Sequence, residues 1–160
     1  MSRGVQIAVV GGGADDPRTS QLGEEVGRRL AEAGAVVVCG GLGGVMAAAA
    51  RGAAEAGGQV IGIVPSADPA DANPHCTHVV ATATGVARNI AVVSSADAVI
   101  AIGGGWGTLT EIAHARRIGR PVFALASWFV SPAAPFEGGE GVEVAADPEA
   151  AVAAALAAGR

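Results

Sequence analysis

Ile102 to Ile112 reads IGGGWGTLTEI: four glycines, a tryptophan and a threonine crowd one turn, and Glu111 follows one helical turn later. Glycine lets a backbone approach a ligand closely. A helix starting in such a turn aims its free N–H groups and positive dipole end at the same space. The pattern suits a phosphate, with Thr108 and the N–H groups of Gly105 and Gly107 as donors. Glu111 adds a carboxylate that can stabilise developing positive charge or activate a water. Arg88, in the stretch TATGVARN, supplies a planar guanidinium able to grip a phosphate with two parallel bonds. Plainer roles exist for both: a first-turn glutamate is favoured by the helix dipole, and an arginine near a helix start can simply face solvent.

These residues must be positioned by the elements around them. Short β-branched runs at 5–10, 35–39, 59–64, 78–82, 98–102 and 121–126 read as strands, with 142–145 as a short edge strand. Alanine-rich stretches at 17–34, 45–58, 86–96, 107–119 and 147–159 read as helices. In the first of these, Leu22, Val26 and Leu30 form one stripe and Gly34 is a stop signal. Asp147 and Pro148 form an N-cap and first-turn pair at the start of the last helix. Strand–helix alternation with continuously apolar strands predicts a single α/β domain over residues 1–160. It is a doubly wound, mostly parallel sheet of six or seven strands with helices on both faces. The segments 65–77 and 127–141 show no periodicity, and the second is a candidate lid or plain surface loop.

Ligands of such sheets sit outside the carboxyl ends of the strands. Three glycine clusters follow strands at that edge: Gly11, Gly12 and Gly13; then Gly40, Gly41, Gly43 and Gly44, with Met46 just beyond; then Gly103, Gly104, Gly105 and Gly107 around Trp106. Met46 reads as pocket floor or core, and Trp106 as a shield, a stacking surface for a base, or packing. The fourth strand-to-helix turn brings Arg88 and Asn89 to the same edge. A dinucleotide fingerprint fails, because Asp16 stands where the third glycine belongs and strand two ends in Cys39-Gly40 without an acid. A Walker lysine is absent too.

Composition narrows the partners. The net charge is −5, with ten Lys and Arg that are scattered, which disfavours nucleic acid, whose binding needs clustered cations. Apolar runs such as VFALASWFV fall short of the ~20 residues of a membrane helix, and a strand explains the apolar start better than a signal peptide does. Two cysteines, Cys39 and Cys76, make no disulfide scaffold, so the expectation is a cytoplasmic domain with free thiols. His75, Cys76 and His78 lack the second ligand pair of a structural zinc site, and no metal is expected. His114 reads as a surface residue or a support for Glu111.

GGLGGVMAAAARGAAEAGGQVIGIVP resembles the GGxxGLM…GGxVxGIxP segment of LOG-like proteins, and GGGWGTLTE resembles their PGGxGTxxE signature. The resemblance spans residues 5 to 126. That superfamily includes cytokinin-activating phosphoribohydrolases and proteins often labelled lysine decarboxylase. The run ATGVARN…ADAVIAIGGGWGTLTEI is more similar to a DprA-related branch that molybdenum-cofactor carrier proteins also resemble. The resemblance implies a Rossmann-like fold, homo-oligomers and, in the hydrolase branch, attack on the N-glycosidic bond of a nucleoside 5′-monophosphate. By that resemblance Arg88 and Glu111 correspond to the catalytic arginine and glutamate. Asn89 stands where the hydrolases have lysine, and Gly103 where they have proline.

The resulting expectation is a binding or carrier protein for a phosphorylated nucleotide or pterin-type cofactor. The alternative is a phosphoribohydrolase, not a lysine decarboxylase. No cofactor is required for either; a nucleotide, phosphate or molybdopterin-type ligand would be bound. Apolar residues on more than one face of 86–93 predict a homodimer or a dimer of dimers.

Overall fold

The computed structural model describes residues 3–159. Among them the chain runs β1 (Gln6–Gly11), α1 (Pro17–Glu32), β2 (Val36–Cys39), α2 (Val45–Glu55), β3 (Val60–Val64), β4 (His78–Ala81), α3 (Arg88–Ser94), β5 (Ala98–Ile102), α4 (Trp106–Arg117), β6 (Val122–Leu125), β7 (Glu143–Val144) and α5 (Pro148–Ala158). Every strand pairing is parallel, in the order β4-β3-β2-β1-β5-β6-β7. The chain begins at the centre, winds outward to β4, and returns to place β5 beside β1. The reversal leaves a crevice between the carboxyl ends of β1 and β5, where such sheets bind ligands.

The five inner strands β1, β2, β3, β5 and β6 are buried on both faces, so their side chains alternate between two cores. Ile7, Val9, Ile100 and Ile102 pack under α1, α2 and α5 with Val26, Leu30, Ala49 and Ala151. Ala8, Val10, Val99 and Ala101 pack under α3 and α4 with Val92, Ile112 and Ala115. Small residues bring α1 and α2 into close contact. A Cβ at Gly27 would overlap the Ala49 carbonyl, and one at Gly52 would overlap the Glu24 carbonyl. Alanine at either place would gain helix propensity of about 1 kcal/mol and lose it to overpacking against backbone that cannot move aside.

The seven strands match the upper expectation, and 142–145 contains the predicted edge strand as β7. The stretch 86–96 departs from a single helix. It opens as a 3₁₀ turn, Gly85–Ala87, before α3 begins at Arg88. That turn is held by a bond from the Gly85 N–H to the Pro65 carbonyl (3.0 Å), tying it to the loop after β3. Trp106, expected in the glycine turn, is the first residue of α4. The unassigned 65–77 contains one 3₁₀ turn, Pro69–Asp71, and 127–141 has no regular element.

Candidate functional site: a glycine-lined cleft at the β1/β5 crevice

The helix starts differ in a way that locates the site. The Asp16 carboxylate accepts from the Arg18 and Thr19 N–H groups at the start of α1, and Asp147 does the same for Ala150 in α5. Those two helices satisfy their own first turns. α2, α3 and α4 have no side-chain cap; α3 continues from a 3₁₀ turn, whereas α2 and α4 begin at Gly44 and Gly105 and turn their dipole ends towards the crevice.

Glycine backbone brings both starts to the crevice. A side chain on Gly11 would meet Val45 Cβ at 2.9 Å, so its absence lets α2 close over the end of β1. The Val45 N–H then donates to the Gly12 carbonyl at 3.0 Å. Gly104 has φ +92, and a Cβ there would collide with Thr108 Oγ1. Two side chains beyond β6 hold this second turn from outside. Ser127 Oγ donates to the Gly103 carbonyl (2.6 Å), and Trp128 Nε1 donates to the Gly105 carbonyl (3.1 Å). Both follow Ala126, a non-glycine residue at φ +50.

Between the turns lies a cleft of about 230 Å³. Gly11, Gly12 and Gly13 form one wall, and Gly105, Gly107 and Thr108 another. Gly40, Met46, Arg88, Asn89 and Glu111 complete it. Four of these glycines answer no demand of the chain's own packing. A Cβ on Gly105 or Gly107 would find no described atom within 4 Å. Gly12 and Gly13 would make only ordinary contacts, at 3.8 Å to Gly104 Cα and 3.7 Å to Met46 Cε. Gly40 is different: a Cβ would lie 2.6 Å from Met46 Sδ and 2.9 Å from Arg88 Cζ, so this glycine makes room for the arginine.

Arg88, Thr108 and Glu111 are the buried polar or charged residues among those described. Arg88 Nη1 bonds Asn89 Oδ1, while its Nε is buried without a partner. Arg120 Nε is likewise buried without a partner, but of the two only Arg88 lines the cleft, where an unpaired buried guanidinium N–H is costly. Burial pulls the Arg88 pKa below its ordinary value, against the Glu111 charge, which raises it. Burial pushes the Glu111 carboxyl from 4.5 to about 7, with the Arg88 charge opposing the shift. The cleft therefore pairs one desolvated cation with one acid that is only partly ionised near neutrality. Beside it, the neighbouring Cys76 thiol and burial raise the Cys39 pKa well above its ordinary value.

Of the residues expected from the sequence, Gly12, Gly13, Gly40, Met46, Arg88, Asn89, Gly105, Gly107, Thr108 and Glu111 meet in this cleft. Gly41, Gly43, Gly44, Gly103 and Gly104 do not line it. They shape the turns behind it: Gly44 has φ +60 and a Cβ there would collide with the Gly12 carbonyl. Trp106 stands outside the cleft, 75% exposed. Gly11, the first glycine of the cluster after β1, lines the cleft with its two successors. Ser127 and Trp128 lie in the unpatterned segment, where nothing local signals their bonds to the glycine turn. His114 borders a neighbouring apolar cleft of about 330 Å³, with Val86, Ile90 and Thr110, that shares Asn89 and Glu111 with the first. Among the described residues no group of three or more His, Cys, Asp or Glu is placed to hold a metal. No described helix is long and apolar enough to cross a membrane.

A doubly wound parallel sheet with glycine-led helices at its switch point defines a Rossmann-like α/β domain. More particularly, the chain belongs to the SLOG cluster4 family, whose model matches residues 4–152. An uncharacterised protein of Archaeoglobus fulgidus is 41% identical over 148 residues, 92% of each chain. Among solved structures, the molybdenum cofactor binding protein of Rippkaea orientalis superposes with a TM-score of 0.86 at 31% identity, covering 98% of both chains. The molybdenum cofactor carrier protein of Chlamydomonas reinhardtii gives a TM-score of 0.82 at 30% identity, covering 97% of this chain and 99% of that one. DNA processing protein A of Helicobacter pylori, described for its single-stranded DNA binding, shares the fold at 18% identity and a TM-score of 0.71, covering 98% of this chain and 82% of that one.

Proposed function

We propose that this protein binds and carries a phosphate-bearing, ring-containing small molecule, of the nucleotide or pterin-cofactor class, with its anion in the β1/β5 cleft. The observation that carries this reading is the Arg88 guanidinium, buried with Nε unpartnered beside glycines that the chain's own packing does not require. The α4 N-terminus and Thr108 supply further donors, and a helix start is a ready anion site. The likeness to molybdenum cofactor carriers supports the pterin type. A net charge of −5 speaks against a nucleic-acid surface.

A second reading has a specific observation in its favour. Glu111 is buried next to Arg88 with a pKa of about 7, the range where an acid–base group works best at neutral pH. Such a group beside a bound sugar phosphate suits hydrolysis of an N-glycosidic bond. Asn89 in place of the hydrolase lysine favours carrying over cleaving. The apolar flank at Val86 (86% exposed) and Ile90 (50% exposed) is the surface a second copy would cover in the proposed homodimer or dimer of dimers.

Calorimetry with ribose 5-phosphate, paired with chromatography of AMP, CMP, GMP, IMP and UMP after incubation, separates these readings. The carrier reading expects binding of ribose 5-phosphate without release of free base. Arg88→Ala should weaken that binding roughly tenfold to a hundredfold, as for loss of one charged hydrogen-bond partner. Steady release of free base by the wild type, abolished in Glu111→Gln, would establish the hydrolase instead.

A further inference from the structure

The cleft of about 230 Å³ is smaller than the roughly 300–1,000 Å³ of pockets that enclose a whole ligand. It suits a phosphate and part of a sugar. A ring attached to them has to lie at the rim. Two features lie nearby: the apolar cleft between α3 and α4, which shares Asn89 and Glu111 with the first, and the tryptophans beside the glycine turn, Trp106 being flanked in the chain by the cleft residues Gly105 and Gly107.

The tryptophans are the better built for a ring. The chain has five aromatic residues, Trp 2 and Phe 3. Phe123 is in the core, whereas Trp106, Phe129 and Phe136 are exposed, and Trp106 is the one that belongs to the glycine turn. Trp106 sits between Gly105 and Gly107, both cleft residues. Trp128 approaches it with ring centroids 5.1 Å apart and planes inclined by 39°. Trp128 is not free to drift, because its Nε1–H is tied to the Gly105 carbonyl at 3.1 Å. The neighbouring Ser127 is tied to Gly103 at 2.6 Å. The tryptophan pair is thus fixed in register with the turn that would hold the phosphate. Leaving a large indole in water is unfavourable, and exposed aromatics locked beside an anion site serve as stacking surfaces for planar rings.

We infer that Trp106 and Trp128 form the ring-binding platform of this site, so that the ligand is a phosphate ester carrying a planar heteroaromatic ring that stacks on Trp106. Trp128 acts on that ring through its tilted contact with Trp106 and its hold on Gly105. This inference rests on the anion reading of the cleft. Its occupant is a small molecule and not a nucleic-acid strand, because the chain is acidic and its cations are scattered.

The protein contains no tyrosine and only these two tryptophans, so its emission excited at the red edge of the indole band comes from the platform alone. The test titrates the full chain with GMP, whose aminopyrimidinone ring edge is that of a pterin, and with ribose 5-phosphate, while calorimetry follows binding of each. GMP is expected to quench the emission and to bind more tightly than ribose 5-phosphate, which binds without quenching. Trp106→Ala should weaken GMP binding by roughly five- to a hundredfold, the range for one stacked base. It should leave ribose 5-phosphate within about twofold, a change too small to count as a lost interaction. Trp106→Phe should restore most of the GMP affinity, which a merely structural role would not predict. Equal affinity for GMP and ribose 5-phosphate, with Trp106→Ala silent, would overturn the platform and leave the anion site standing. Binding of neither compound would overturn both. Tighter binding of a single-stranded oligothymidylate than of GMP would overturn the small-molecule assignment.

Discussion

Glu111→Gln is expected to stabilise the ligand-free protein above pH 7 by on the order of 3 kcal/mol. The carboxyl rises from 4.5 to about 7 on folding because it is buried, and the nearby Arg88 charge offsets only part of that cost. A raised folded-state value means that the native protein holds this proton more tightly than the unfolded chain does. The associated stability is fully present below about pH 4.5 and is lost as the pH rises through about 7. Glutamine keeps the shape and hydrogen-bonding capacity of the protonated acid and cannot ionise. Urea unfolding at pH 5 and pH 8 checks this: wild type should lose stability between the two, and the variant should lose markedly less. The same coupling acts on binding. A phosphate entering the cleft adds negative charge near Glu111 and favours its protonated form. Binding near pH 7.5 should therefore take up a proton, visible as a dependence of the calorimetric heat on buffer ionisation, and Glu111→Gln should remove the Glu111 share of that uptake.

Gly107→Val should abolish anion binding while leaving the fold intact. No described atom lies within 4 Å of a Cβ at Gly107, and the residue is in the first turn of α4. A surface-like substitution of this kind changes stability by about 0.5 kcal/mol or less. The side chain would occupy the space in front of the α4 N–H groups. Losing two charge-assisted hydrogen bonds there corresponds to roughly 3–6 kcal/mol, about a hundredfold or more in affinity. Gly104→Ala should behave in the opposite way. At φ +92, with Thr108 Oγ1 in the path of the new Cβ, it should lower stability by several kcal/mol, of the order of 1–3 for backbone strain plus 1–3 for overpacking. Thermal melts and ribose 5-phosphate calorimetry on the two variants separate a glycine kept for a ligand from one kept for the turn. If Gly107→Val bound normally, the α4 start would not be the anion site.

The fold was readable because parallel strands buried on both faces leave continuous apolar runs, such as those ending at Gly11 and Gly103, that little else explains. Residues of all three glycine clusters and Arg88 lie, as expected, at the carboxyl edge of the sheet. Alternation does not encode strand order, so the pairing of β5 with β1, which creates the crevice, had to come from the structure. Nor does a glycine announce its reason: Gly103, Gly104, Gly41, Gly43 and Gly44 shape turns, whereas Gly105 and Gly107 leave room. Trp128 and Ser127 were invisible in the sequence because their segment has no period and their bonds reach back 23 and 24 residues. The orphaned Nε of Arg88 depends on burial by several elements at once, which no local pattern records.

A crystal structure of the full chain grown with GMP tests the carrier reading most directly, since it shows both where the anion sits and whether the ligand is whole. The prediction is an intact nucleotide, with its phosphate on the Gly105–Gly107 turn beside Arg88 and its base outside the cleft. A phosphate bound elsewhere with this turn empty would contradict the anion site, and ribose 5-phosphate alone in the cleft would contradict the carrier.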